Sequence, residues 1–322
     1  MTQLDTIPKN SALAHLVAPD VYRISTGFSN AYLVVVSGGG GGYVIIDAGD
    51  KGHGTKVRQA AEDLFEHVRP NAIFLTHGHF DHAGGLPELL RHWPDVPVFA
   101  HALELPYLNH DVRYPPGDPT VGGVMAEMSR FLDTSRPTLL PRPAEPFPEE
   151  ADELSMMPGW QLRPTPGHTP GHVSFWNEDE KILITGDAIV TLNQDNPLFL
   201  ISGRPAISPP PPYATYNWHH ARQSARALAE LEPHYFCPGH GQPLSGTHLA
   251  KDLCRFAASF PTPRRGRYVR TPARFNREGP TFIPPKPIDY VKGIVLAGGA
   301  LALGASLYLM LSRPSSQCRD AD

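Results

Sequence analysis

The run Thr76-His77-Gly78-His79-Phe80-Asp81-His82-Ala83-Gly84-Gly85 decides how the chain is read. It continues an apolar stretch, Ala72-Ile73-Phe74-Leu75, that reads as a short buried strand. His77 and His79 are two residues apart in extended chain at that strand's end, so their side chains point the same way. Asp81 and His82 follow where a helical pattern begins, and turn toward a second point of the same cavity. Imidazole and carboxylate donors together suit Zn, Fe or Mn. Four donors at these fixed offsets argue against ordinary surface or core polar residues.

The flanking patterns alternate strand and helix. Residues 21–47 contain three strand-like runs, VYRISTG, AYLVVV and YVIID, the last preceded by a glycine-rich turn from Ser37 to Gly42. That turn lacks the Gly-Lys-Ser/Thr ending of a phosphate loop and no helix follows it, so it reads as a hairpin. Residues 54–67 place Val57, Ala60, Ala61, Leu64 and Phe65 on one helical face. HAGGLPELLRHW restarts a helix and VPVFAH is another strand. The alternation predicts an α/β (α+β) sheet covered by helices. From about 103 to 150 the order breaks, with Pro115-Pro116, PRPAEPFPEE and one helical run, VGGVMAEMSRFLD. Such an insertion is a functional lid or a disordered excursion. Its Tyr107 and Tyr114 suit a substrate pocket or plain packing equally well. Strands return with QLRPT, VSFWN and KILITG. The prolines 209–212 then form a stiff connector, followed by a helix near 216–231 and an amphipathic stretch at 247–260.

Three further signals stand where strands end. PTPGHTPGHVSF offers His168 and His172, ILITGDAIV offers Asp187, and FCPGHGQP offers His240. Each has glycine or proline beside the polar residue, as in a loop that holds a ligand rigidly at a sheet edge. His101, His219 and His220 have no such context and read as surface or packing residues.

With these residues in place, the chain resembles the metallo-β-lactamase-fold superfamily over roughly residues 20–260. The family's His-X-His-X-Asp-His motif stands here as His77, His79, Asp81 and His82. The resemblance implies a four-layer αββα sandwich with metals at the sheet edges. It implies that His77, His79 and His168 hold one metal, that Asp81, His82 and His240 hold a second, and that Asp187 bridges them. Asp47-Ala48-Gly49 looks like the family's structural turn, which makes Asp47 an orienting acceptor for a ligand imidazole. Family practice favours His168 over His172 as the ligand, leaving His172 a structural or orienting role.

Two divalent metals, Zn before Fe or Mn, lower the pKa of a bridging water and polarise a substrate oxygen. The expected activity is therefore a binuclear metal-dependent hydrolase. Its bridging hydroxide attacks an ester, thioester or lactone carbonyl of a small molecule, with Asp81 passing a proton to the leaving group. Within the resemblance, the glyoxalase II and lactonase-like branch shares the full ligand set. Asp187 points away from true β-lactamases. The glutathione-binding C-terminal region of glyoxalase II is not evident. The tyrosine that often follows the bridging aspartate of lactonases is replaced by the run Ala188 to Thr191. The best overall match is to bacterial metallo-hydrolases of unassigned substrate. The rival readings are an iron-dependent sulfur dioxygenase or redox enzyme on the same fold, a phosphodiesterase, and a silent scaffold.

Composition sets the outer bounds. The chain of 322 residues is 41% hydrophobic, enough for a substantial core. Its net charge of −4 disfavours a nucleic-acid partner. The three cysteines are too few and too scattered for a disulfide framework or a Cys-based zinc site, and Cys237 and Cys254 read as buried thiols. Residues 1–19 show no signal peptide. Residues 261–292 form a Pro/Arg-rich linker. From Gly293 to Ser312 no charge occurs, and at ~1.5 Å per residue this run would cover ~30 Å. A single-pass anchor is the expectation there, with a buried helix as its rival and 313–322 as a tail. Arg274, Arg277, Lys286 and Lys292 on its N-terminal side would place the enzyme on the cytoplasmic face of a membrane.

Overall fold

Side chains alternate strictly along Tyr43-Val44-Ile45-Ile46. Tyr43 and Ile45 enter one apolar cluster, while Val44 and Ile46 enter another. A strand buried on both faces lies between two layers, and this period of two builds the domain. A computed structural model describes residues 11–36, 41–131, 133–147, 154–193 and 204–287. The chain divides into two compact units, Met1–Pro285 and Lys286–Asp322.

In the first unit a seven-stranded sheet runs in sequence order. Its strands are β1 (Ala14–Ala18), β2 (Val21–Thr26), β3 (Ser29–Val35), β4 (Tyr43–Ile46), β5 (Ile73–Phe74), β6 (Val98–Ala100) and β7 (Glu145–Pro146). β1 to β4 pair antiparallel, and β4 to β7 pair parallel. A second, five-stranded sheet contains β8 (Trp160–Pro164), β9 (Val173–Asn177), β10 (Ile182–Gly186), β11 (Tyr235–Pro238) and β12 (Leu244–Ser245). Its order is β12-β11-β10-β9-β8, with only β10 and β11 parallel.

The two sheets stack through Val34, Ile46 and Phe74 of one and Val173, Phe175 and Ile184 of the other. On the far face of the first sheet lie helices α1 (Gly54–Phe65) and α3 (Leu86–His92), beyond the single turn α2 (Phe80–Ala83). α1 buries Val57, Ala60, Ala61 and Leu64, the stripe its spacing predicts. Two later helices of the chain, α6 (Trp218–Ala229) and α7 (Leu249–Ala258), cover the second sheet. The side chain of Asn217 caps α6 by accepting the His220 backbone N–H at 3.0 Å. The layering is the expected αββα sandwich. Burial at this density contributes about 1.5–3 kcal/mol for each large apolar side chain.

Between β6 and β7 the insertion supplies α4 (Leu105–Asn109) and α5 (Val124–Met128). The helix expected across 121–133 shrinks to α5 because Gly122 and Gly123 take φ of 89° and 105°. Residues 261–285, read from sequence as linker, belong to the first unit. They carry the hairpin β13 (Arg274–Asn276) and β14 (Gly279–Phe282). The hydroxyl of buried Tyr268 donates to the Pro116 carbonyl at 2.6 Å, and Ala273 N–H donates to the Tyr216 carbonyl. Cys237 is buried as expected, but Cys254 is exposed on α7.

The membrane expectation is corrected. Among the described residues no helix is long and apolar enough to cross a membrane. The longest, α1 and α6, have 12 residues. At ~1.5 Å per residue they cover ~18 Å, short of a ~30 Å bilayer core. Residues 293–312 and the tail lie outside the described residues. The anchor and the membrane-face localisation derived from it are withdrawn.

Candidate metal centre

Each residue singled out from the sequence follows a strand on one edge of the sandwich. Asp47 follows β4, the His77–His82 run follows β5, Asp187 follows β10 and His240 follows β11. His168 and His172 lie in the β8–β9 connection. The sheets are tied together there. Val173 N–H donates to the Thr76 carbonyl at 2.9 Å, and Asn30 N–H to the Gly239 carbonyl at 2.8 Å. The Asn30 amide also donates to the Pro238 and Gly241 carbonyls, holding the His240 loop from both sides.

Among the described residues three sets of donor atoms converge: His77, His79 and His168; His77, His82 and Asp187; and Asp81, His82 and His240. Within each set the atoms lie within 4.8 Å of one another. In the first set, His79 Nδ1 stands 3.1 Å from His77 Nε2 and 2.9 Å from His168 Nε2. Asp187 links the sets. Its Oδ1 is 3.4 Å from His82 Nε2, and its Oδ2 is 3.4 Å from His168 Nε2 and 3.1 Å from His240 Nε2. Asp81 Oδ2 is 3.3 Å from His240 Nε2.

The ring orientations follow from the hydrogen bonds behind them. The Thr76 hydroxyl donates to Asp47 Oδ2, so its oxygen accepts from His77 Nδ1 at 3.0 Å and leaves Nε2 facing the cluster. Thr215 repeats the device. Its hydroxyl donates to the Pro211 carbonyl and its oxygen faces His168 Nδ1 at 3.4 Å. His82 Nδ1 donates to Asp47 Oδ2 at 2.8 Å, and His240 Nδ1 donates to the Phe28 carbonyl at 2.7 Å. His79 is turned the other way, with Nε2 3.3 Å from the Tyr216 hydroxyl. Five imidazoles therefore present one nitrogen each to a shared centre.

Their electrostatics differ by set. Burial, reinforced by neighbouring imidazoles, pushes His77 and His168 well below the usual histidine range. Burial also brings His79 down to about 4. These three are neutral at pH 7 and have lone pairs to give. Burial acts against charge at His82 and His240 too, but carboxylates outweigh it, Asp187 foremost. His82 is held well above its ordinary value and His240 is raised to about 10. Burial alone would raise Asp81 and Asp187. His82 and His240 instead hold both carboxyls below the carboxylate range.

A metal fits this donor set. His82 Nε2 and Asp187 Oδ1 are buried, face each other at 3.4 Å and have no hydrogen-bond partner among the described residues. Leaving two such atoms facing each other is costly unless something binds between them. Gly239 keeps the space open, because a Cβ there would lie 2.2 Å from Asp187 Oδ1 and 2.9 Å from His82 Cε1.

His172 joins none of these sets. Its Nδ1 faces the Thr165 hydroxyl at 2.8 Å and its Nε2 accepts the Asp187 backbone N–H at 2.9 Å, with burial holding it near 3. His101 Nδ1 accepts from Leu103 N–H, while His219 and His220 are exposed on α6. Two neighbours of the site carried no sequence signal. Tyr216 faces His79, and Glu104 is fully buried beside the His77–His79 loop. Tyr114 stacks on Tyr107, with ring centroids 3.6 Å apart, and meets the His79 ring at 61° with centroids 4.5 Å apart.

The sandwich and its His/Asp edge define a class of metal-dependent enzymes, and comparison with known proteins bears on which one. A family model described as the Metallo-beta-lactamase superfamily matches residues 24–240. The chain is 34% identical over 242 residues to "Probable metallo-hydrolase YflN" of Bacillus subtilis (strain 168), covering 74% of this chain and 90% of the relative. It is 30% identical over 169 residues to a "Hydroxyacylglutathione hydrolase" of Xylella fastidiosa (strain M12), covering 51% of this chain and 48% of that one. A beta-lactamase domain protein from Burkholderia ambifaria superposes with a TM-score of 0.50 at 20% identity, over 79% of this chain and 78% of that one. That likeness shows the fold alone. The chain belongs to the metallo-β-lactamase superfamily, and it is a metal-dependent hydrolase.

Proposed function

We propose that the chain is a binuclear hydrolase acting on an ester, thioester or lactone carbonyl of a small molecule. The observation that carries the reading is the placement of Asp187, whose two oxygens lie 3.1–3.4 Å from His82, His168 and His240. A carboxylate so placed suits two cations at once, with His77, His79 and His168 on one side and Asp81, His82 and His240 on the other. When bound, two divalent ions supply a water of lowered pKa and polarise the substrate oxygen. Zn suits this imidazole-rich set, and Fe and Mn share its donor preferences.

The chain's own groups then divide the remaining tasks. Asp47, Thr76, Thr215 and the Phe28 carbonyl fix the tautomers of four ligand imidazoles. Asp81 has the most exposed side chain of the donor set, at 14%. Being deprotonated at neutral pH, it takes a proton at a carboxyl oxygen and returns it to the leaving oxygen or sulfur. Water, not a side chain, is the nucleophile. The Cys237 thiol is buried and pushed up to about 12, far from the thiolate that covalent catalysis needs. The likeness to a hydroxyacylglutathione hydrolase favours thioesters among the carbonyl substrates.

A panel of lactones, thioesters, β-lactams and phosphodiesters, run on the full chain with its metal content measured, tests the reading. The expected result is turnover of a carbonyl ester or thioester with two metals per chain. It should be lost together with metal in Asp187→Ala. Oxygen uptake with one iron per chain, or turnover of phosphodiesters alone, would overturn it.

A further inference from the structure

Outside the donor set, one buried group touches both loops that carry the first histidine triad. Glu104, just ahead of α4 in the insertion, is fully buried. Its Oε2 accepts the backbone N–H of Gly78, between His77 and His79, at 3.0 Å. Its Oε1 accepts the backbone N–H of Gly171, between His168 and His172, at 2.7 Å. The Tyr114 hydroxyl donates to the same carboxyl group. Gly78 allows this approach, because a Cβ there would lie 2.6 Å from the Tyr114 hydroxyl oxygen.

A carboxylate that takes two amides from segments 93 residues apart, Gly78 and Gly171, fixes their separation. The hydrogen bonds are charge-assisted and shielded from water, which makes them among the stronger ones a protein offers. We propose that Glu104 is a positioning residue. It would clamp the His77–His79 loop to the His168–His172 loop, so that His77, His79 and His168 are preassembled for one metal. The proposal rests on the reading that these three histidines hold a metal. It gives the insertion a task at the centre.

Titrating the metal-free full chain with Co2+ tests the clamp, because ligand-field absorption reports the geometry at each binding step. Glu104→Gln keeps the side chain's size but leaves one acceptor for two amides. The expected result is a loss of about 10–100-fold in affinity at the step that His77→Ala abolishes, with altered absorption bands. Tyr114→Phe keeps both amide bonds and should stay within a few-fold of wild type. Amide exchange in the metal-free protein gives a second readout, with Gly78 or Gly171 exchanging faster in Glu104→Gln while β4 and β10 stay protected. Wild-type affinity and bands in Glu104→Gln overturn the clamp. So does an equal loss in Tyr114→Phe, which keeps the ring and both amide bonds and so assigns the effect to the Tyr114 hydroxyl rather than to the clamp. Should Glu104→Gln fail to fold, unprotected Gly78 and Gly171 amides in the wild-type protein would overturn it alone. If the wild type shows no Co2+ step sensitive to His77→Ala, the metal reading fails. Exchange at the two glycines then still decides the clamp.

Discussion

Asp47 Oδ2 accepts Nδ1–H of His82 at 2.8 Å across 35 residues of sequence, and both side chains are buried. The same carboxylate accepts Thr76 N–H at Oδ1 and the Thr76 hydroxyl at Oδ2, each at 2.8 Å. Asp47 holds φ at 60°, a left-handed backbone that Asp tolerates better than most residues. One residue thus sets the tautomer of His82 and, through Thr76, that of His77. We expect Asp47→Ala to weaken metal binding by about 10–100-fold. It should also destabilise the protein by a few kcal/mol, about 1–3 for each buried donor left unpaired. Metal content after dialysis and urea unfolding measure the two effects. An unchanged metal content would mean that the imidazoles need no such anchor.

His168 and His172 are separated by their partners rather than by their motif. His168 turns Nε2 toward His79 and Asp187, whereas both nitrogens of His172 are engaged by Thr165 and the Asp187 backbone. His168→Ala should therefore lose about one metal per chain at saturating metal. His172→Ala should still load fully but unfold at lower urea, since it leaves a buried N–H without an acceptor. Elemental analysis of the two variants decides the assignment, and the reverse pattern would exchange their roles.

Gly239 offers a steric test of the same centre. A methyl group there would meet Asp187 Oδ1 at 2.2 Å and the Gly186 carbonyl carbon at 2.9 Å, so Asp187 or the backbone must move. Overpacking of this kind costs on the order of 1–3 kcal/mol. We expect Gly239→Ala to fold with reduced stability and to lose about 100-fold or more in kcat, because misplacing reacting groups by ~1 Å costs that much. Activity near wild type would show that the cradle is looser than its geometry.

The sandwich was legible where side-chain period is enforced by two buried faces, as along β3, β4 and β10. The candidate metal loops were legible because metal chemistry restricts residue type and spacing together, as in His77 to His82, whose side chains the fold brings together. Glu104 was not legible. Its partners are backbone amides 26 and 67 residues away, and no local pattern marks a residue whose task is to meet them. Tyr268 was hidden in the same way, lying in a Pro/Arg-rich stretch whose composition suggests extended chain. Its ring packs against Tyr216, with centroids 5.3 Å apart. The helical run near 121–133 failed for the opposite reason. Its pattern was local, but Gly122 and Gly123 take positive φ ahead of it and Phe131 is left 88% exposed after it, so only the turns that bury Ala126 form.

Acid should unfold the metal-free protein through its own site. Burial holds His79 near 4 and His172 near 3, against 6.5 for a free imidazole, and it holds His77 and His168 lower than usual as well. For these groups the unfolded chain binds more protons than the native one once pH drops below about 6.5. Their contribution is therefore complete above that value and is lost as pH falls toward 4. Each contributes on the order of 1.4 kcal/mol per pH unit across its window. His82 and His240 carry the opposite sign. Their folded values are raised, His240 to about 10, so their contribution is complete below 6.5 and fades as pH climbs toward 10. The metal-free chain should thus have its highest urea midpoint near neutrality, with a steep fall between pH 6.5 and 4.5. His172→Ala should flatten that fall by one group's share. A midpoint that stays level from pH 7 to 5 would mean that the triad is not held neutral in the folded state.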